Sequence, residues 1–293
     1  MKRLFSLLVM VLLSGWCLGQ AFDNLQRPRN VVVYLGSGSN YYVGELMENN
    51  LKKVRYNLNF GMEYFVLPRI SLRGELNFFR LSGSDALAKE GDDRRTRNLS
   101  FFSNNKELNL TGTFNLLPLP SRFDRRALLN IYGFTGLGLL WMNPKTKYDG
   151  KTYALAPLKT EGVTYQRFQP AIPLGLGIRI KYRMVNSLII EGGYRFLGTD
   201  YLDDVSGIYY TGSQGLLTKG RYPDPATLDS DLSRALSDRR KEYDPNSNYQ
   251  YNKGVRGNPT TKDGYFLINV RLDYYLHDAI FISRRVRQIM RYR

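Results

Sequence analysis

The chain has 293 residues, carries 42 Lys and Arg against 26 Asp and Glu, and contains one Cys and one His. One Cys excludes a disulfide framework and a cysteine-cluster metal site, and one His excludes paired-histidine zinc centres. A charged content of 23% resembles that of a soluble protein, but the periodicity of the sequence points elsewhere.

At the start, Lys2 and Arg3 precede a mostly apolar run over residues 4–13, followed by Ser14 and Gly15. This run is shorter than the roughly 20 apolar residues of a membrane-spanning helix, so residues 1–19 read as a secretory signal peptide cleaved before Gln20. A lipoprotein signal acylated at Cys17 would place bulky Trp16 where that processing needs a small residue. Cleavage lowers the net charge from +16 to +14 and removes the cysteine. An exported basic chain meets anionic lipid or acidic protein, and nucleic acid is not an expected partner.

Beyond residue 19 no apolar run is long enough for a spanning helix. What recurs is alternation over about ten residues, the signature of a transmembrane β-strand. It covers residues 30–38, 54–66, 70–81, 107–116, 128–141, 172–182, 187–196 and 265–276. In the last of these, Phe266, Ile268, Val270, Leu272, Tyr274 and Leu276 share one face, and Asn269, Arg271 and Asp273 the other. Short links (67–69, 117–126, 183–186) alternate with long ones (39–53, 82–100, 143–168, 197–262). An even strand number with that parity predicts an all-β fold, an eight-stranded antiparallel transmembrane β-barrel with long extracellular loops, over residues 20–276. A soluble β-sandwich would need no such loop asymmetry.

The inward faces carry Arg55, Glu63, Arg73, Glu75, Glu107, Arg179, Lys181, Glu191, Arg195, Arg271 and Asp273. Eight strands leave a lumen only wide enough for side chains, so these charges read as a paired plug rather than a conduit. Aromatic residues near strand ends read as interfacial girdles, namely Tyr34, Tyr41, Tyr42, Tyr64, Phe65, Phe101, Phe102, Trp141, Tyr182, Tyr209, Tyr210 and Tyr265.

Little in the sequence points to catalysis. His277 follows the last strand with no nucleophile motif beside it, and no glycine-rich phosphate loop occurs. No catalytic residue, cofactor or metal is therefore expected. Asp200, Asp203 and Asp204 could approach a calcium ion only from a loop, because neighbours on a strand point apart. Asp224, Asp229 and Asp231 read as loop and cap residues. Within the longest link, Leu228, Leu232 and Leu236 recur every four residues in 225–241, which fits a short amphipathic helix over the barrel mouth or a disordered loop. Residues 277–293 form a basic tail in which Arg284, Arg285, Arg287, Arg291 and Arg293 face the single acid Asp278. Such a tail suits anionic headgroups or a periplasmic protein, and its arginines are the docking candidates.

Four strings carry a resemblance: NPKTKYDGKTYALAPLKTEG (143–162), IPLGLGIRIK (172–181), EGGYRFLGTDYLDDVSGIY (191–209) and RGNPTTKDGY (256–265). Together they resemble the PorG-like outer-membrane β-barrel family of the type IX secretion system of Bacteroidota. The most specific part is Thr199, Asp200, Tyr201, Leu202, Asp203, Asp204, Val205 and Ser206, which strand counting places at the outer rim. The resemblance implies a non-enzymatic, structural outer-membrane component associated with outer-membrane lipid and with a periplasmic ring of a lipoprotein and its partner subunit. It assigns no catalytic or ligand residue. The family includes uncharacterised barrels, so a general envelope-stabilising or binding barrel is the alternative function.

Overall fold

Strict alternation makes each segment a two-faced ribbon, and a ribbon with one greasy face and one charged face can satisfy both by rolling shut. The computed structural model describes residues 29–48, 55–207, 209, 231–246 and 254–276. The expected signal peptide, Leu228, Tyr210, His277 and the arginine-rich tail lie outside these residues.

Eight long strands build the wall: β1 (Val31–Val43), β2 (Tyr56–Phe65), β3 (Ile70–Ser84), β4 (Ser100–Asn115), β5 (Leu129–Trp141), β8 (Phe168–Lys181), β9 (Asn186–Leu197) and β10 (Gly264–Tyr275). A small hairpin, β6 (Lys145–Tyr148) and β7 (Lys151–Ala154), branches from β4 at Phe102↔Lys145. Each long strand pairs antiparallel with the next, and β10 returns to β1 in an unbroken register from Val32↔Tyr275 to Val43↔Gly264. The cylinder is closed, so the wall offers no free strand edge. One end carries the short connections and is called the turn end; the other is the loop end.

The strand phase follows the alternation, and the polarity is inverted relative to a soluble core. Leu58, Leu110, Leu137, Leu176 and Val270 face outward with 44–72% of their surface exposed. Glu63, Arg73, Glu191, Arg271 and Asp273 lie inside with at most 2% exposed. Such an exterior is what lipid covers. Backbone crowding in the lumen fixes one glycine by close approach: a Cβ on Gly36 would collide with Asn59 Oδ1 and Arg271 Cβ.

Sequence reasoning erred mainly at the strand tops. β1 runs to Val43, β3 to Ser84 and β4 begins at Ser100, so the walls rise beyond the apolar band and the links are shorter than expected. Above the band, strand faces meet other loops instead of lipid, and the alternation that reveals a strand fades. The helix over the mouth is present as α2 (Asp231–Ser237), with α1 (Arg94–Arg97) and α3 (Arg240–Tyr243) beside it. Leu236 is fully buried in the cap and Leu232 packs against it.

Both ends of the tube are sealed by apolar clusters. At the turn end Val32, Phe65, Phe123 and Tyr275 pack together, with Leu119 and Val185 against them. At the loop end the inward tops of the strands (Phe79, Leu140, Leu197, Leu267) meet Leu46, Leu155, Leu202, Val205 and Leu236 from the loops. Six residues expected in membrane girdles are inside this structure: Tyr34, Tyr42, Phe65, Phe101, Tyr209 and Tyr265 are all at most 5% exposed. Five of them occupy inward positions of the alternation, where an aromatic ring fills lumen, and Tyr209 lies in the β9–β10 connection. Tyr64 and Tyr182 do face outward near the turn end, and Tyr41, Phe102 and Trp141 are half-buried near the loop end.

Candidate functional site

Between the two seals lies an ionic core. Arg73 Nη1 donates to Glu191 Oε2 at 2.6 Å, and Tyr132 donates its hydroxyl to the same oxygen at 2.6 Å. Arg179 grips both oxygens of Glu63 at 3.0 and 2.8 Å. Arg271 sits at the centre, 3.0 Å from Asp273, 3.4 Å from Glu63 and 3.4 Å from Glu191, with its guanidinium over the Tyr34 ring at 4.2 Å. Nearer the loop end Arg195 stands 3.8 Å from Glu107 and 4.0 Å from Glu75, a looser layer. Opposite charges buried this deeply are tolerable where each has several partners, as Glu63, Glu191 and Arg271 do. Two of the eleven expected interior charges sit at the mouths instead: Arg55 pairs with Glu48 at 2.6 Å near the loop end, and half-buried Lys181 donates to the Asp124 carbonyl at the turn end. Among the described residues, ion pairs fill the lumen between two apolar clusters, the arrangement of a plug.

The second site is at the loop end and is built by the segment Thr199 to Ser206. This segment lies at the expected end of the barrel but is folded inward: Leu202, Asp203, Asp204 and Val205 are each at most 1% exposed. Asp203 and Asp204 point apart. Asp204 accepts from Thr160 Oγ1 and, at 2.6 Å, from the Tyr165 hydroxyl, and Arg256 bonds its backbone carbonyl. Arg256 also holds Glu161 at 2.9 Å, and Glu161 in turn accepts from the Ser206 and Gly207 amides at 2.9 and 3.0 Å. Asp203 faces the other way, accepting from the Leu46 and Val205 amides at 3.2 and 2.9 Å.

Tyr42 Oη lies 2.7 Å from Asp203 Oδ2 and 2.7 Å from Asp263 Oδ1. A phenol has one hydrogen, so it donates to one carboxyl and accepts from the other only if that one is protonated. Burial pushes both aspartates well above the usual carboxylate range, reinforced at Asp203 by the charge of Glu45 and at Asp263 by that of Asp203. Burial likewise raises Glu45, raises Asp200 to about 7 and raises Asp204 to about 6, the last opposed by Arg256. Carboxylate oxygens of Glu45, Asp200 and Asp263 lie within 4.8 Å of one another. The sequence trio of Asp200, Asp203 and Asp204 is thus not brought together; Asp200 joins Glu45 and Asp263 instead. No local pattern in the sequence marks this grouping, because its members come from the β1–β2 link, the segment after β9 and the residue before β10.

No family model matches the sequence, and no curated protein does. Solved structures with a similar course include Neisserial surface protein A, at 7% identity over 84% of this chain and 97% of that one, TM-score 0.40. A major outer membrane protein from Thermus thermophilus aligns at 14% identity over 84% and 98%, TM-score 0.40. The N-terminal β-barrel domain of Pseudomonas aeruginosa OprF aligns at 7% over 85% and 98%, TM-score 0.37. The likeness is one of barrel architecture, and the fold of this chain stands on its own strand pairing.

The turn end is different in charge. Arg69, Arg122, Arg125 and Arg183 are exposed in three separate turns. Arg126 is buried between the rings of Phe123 and Tyr275, at 4.3 and 4.2 Å, and donates to Ser187 and to the carbonyls of Arg183 and Met184. Asp124 is the one acidic residue in these turns among the described residues, and Arg122 holds it at 2.9 Å. Sequence reasoning expects docking through the periplasmic turns and the basic tail but names arginines only in the tail, and the arginines of these turns are the residues it leaves unnamed.

Proposed function

We propose that this chain is a structural, non-enzymatic outer-membrane barrel whose turn end faces the periplasm and docks there on the periplasmic ring of a type IX protein secretion apparatus, a lipoprotein with its partner subunit. The observation that carries the docking reading is the basic turn end, where exposed Arg69, Arg122, Arg125 and Arg183 stand against Asp124 alone. A cluster of one sign steers an acidic surface toward it and fixes its orientation. The secretion assignment rests on the four resemblance strings between residues 143 and 265. A non-enzymatic role fits a lumen whose charged groups, among the described residues, pair largely with one another between two apolar clusters.

The test replaces Arg69, Arg122, Arg125 and Arg183 together with Glu in cells expressing the full chain, followed by affinity capture from solubilised outer membranes. Inserted barrel with loss of the co-captured ring lipoprotein and its partner is the expected result. Capture unchanged by the four reversals refutes docking through this face. Normal secretion after removal of the gene favours the alternative, a general envelope-stabilising or binding barrel.

A further inference from the structure

The loop-end carboxylates carry an inference independent of the secretion reading. Glu45, Asp200 and Asp263 bring oxygens within 4.8 Å of one another from three parts of the chain. Asp203 stands behind them on the shared Tyr42 hydroxyl. The cations facing this group are Arg97 and Lys262. Arg97 is already engaged by both oxygens of Asp85, at 2.7 and 2.7 Å.

A separate observation indicates what is missing. Asp200 is only 2% exposed; Ser206 Oγ occupies its Oδ2 at 2.6 Å, while its Oδ1 is buried and has no hydrogen-bond partner. A carboxylate oxygen shut away from water without a partner is costly. A bound cation satisfies the orphaned oxygen and the mutual repulsion together.

The donor set selects the kind of ion. It is all oxygen, with no histidine or thiolate, which suits hard divalent cations over zinc or copper. Calcium, with oxygen ligands at about 2.3–2.6 Å and a flexible coordination shell, tolerates a trio drawn from three chain segments and spread within 4.8 Å better than magnesium, whose octahedron is tighter and near-ideal. Glu45 is the member of the trio nearest solvent, since it also lines an open cleft of about 450 Å³ at the loop end, beside Thr96, Arg97 and Asn258.

We propose that Glu45, Asp200 and Asp263 form a divalent-cation site of calcium type that ties the β1–β2 link to both ends of the β9–β10 connection. Titration of the full purified barrel with calcium alone, in lipopolysaccharide-free micelles, tests this by calorimetry, with limited proteolysis of the cap as a second readout. One saturable site is expected, with a dissociation constant of about 10⁻⁴–10⁻³ M, as in extracellular calcium modules. Asp200→Asn and Glu45→Gln should each weaken binding at least tenfold and remove the protection that calcium gives the cap against protease. Glu45 borders the cleft, so its substitution keeps the test valid if Asp200→Asn fails to fold. Absence of saturable binding by the wild type overturns the proposal, as does binding that both variants leave unchanged.

Discussion

Replacing Glu191 with Gln removes one negative charge from the centre of the ionic core while preserving shape. The Glu191 carboxylate is within 3.4 Å of donors on Arg73 and Arg271 and 2.6 Å from the Tyr132 hydroxyl, and its side chain is 1% exposed. Glutamine can accept through one oxygen, but its amide presents hydrogens to a guanidinium and leaves two buried arginines short of a counter-charge. Breaking a buried pair from one side costs about 3–5 kcal/mol. With a urea dependence of about 2 kcal/mol per M, the unfolding midpoint should fall by about 2 M. Urea titration of the refolded barrel in phospholipid vesicles, followed by tryptophan fluorescence and electrophoretic mobility, reads this directly. Removing the uncompensated charge as well, in Glu191→Gln with Arg73→Gln, should cost less than the sum of the two single changes. A loss under about 1 kcal/mol for Glu191→Gln would refute the view that the lumen is held by interlocked ion pairs.

Two further outcomes follow from the wall and the cap. Leu110→Arg, at the middle of the outward face of β4, should destabilise the inserted barrel by about 2–4 kcal/mol, while Leu116→Arg near the turn end should cost about 0–1 kcal/mol; the same urea titration in vesicles distinguishes them. Asp204, facing Thr160, Tyr165, Glu161 and Arg256, has its pKa raised from the ordinary 3.8 to about 6. The folded cap therefore holds this proton more tightly than the unfolded chain does. The part of the cap's stability that this group contributes is greatest below about pH 4, falls by roughly 3 kcal/mol between about pH 4 and 6, and is gone above that range. The protection factors of the cap amides in calcium-free buffer, with the intrinsic rise of exchange with pH divided out, should fall over that interval in the wild type and stay level in Asp204→Asn; equal profiles for the two would contradict the reasoning.

The wall was legible in the sequence because lipid imposes one rule on every spanning strand. Phe266, Ile268, Val270 and Leu272 could face outward only if Asn269, Arg271 and Asp273 faced inward, and they do. The interior pairing was legible as a charge balance but not as partners, since Glu191 meets Arg73 from 118 residues away. The β6–β7 hairpin was written in the sequence as KTKY-DG-KTYA. Asp149 and Gly150 both take positive φ, 47° and 71°, as a tight hairpin requires. Four-residue strands are too short for alternation to single out. The loop-end acids were misgrouped for a different reason. Asp203 and Asp204 are adjacent, yet a left-handed backbone at Asp204, φ 70°, helps send them to opposite sides of the segment. Glu45 and Asp263, which do meet Asp200, carry no local signal of doing so.

Nitroxide labels on single cysteines at positions 58, 110, 176 and 270 put the closed, lipid-facing cylinder to its most direct test. The chain from Gln20 onward has no native cysteine, and the four positions face outward from β2, β4, β8 and β10. In phospholipid bilayers all four labels should be relaxed by oxygen and shielded from a water-soluble nickel reagent, while a label at Arg122 in the turns shows the reverse. Free access of nickel to any of the four would mean that this part of the wall stands in water, and the barrel described here would be wrong.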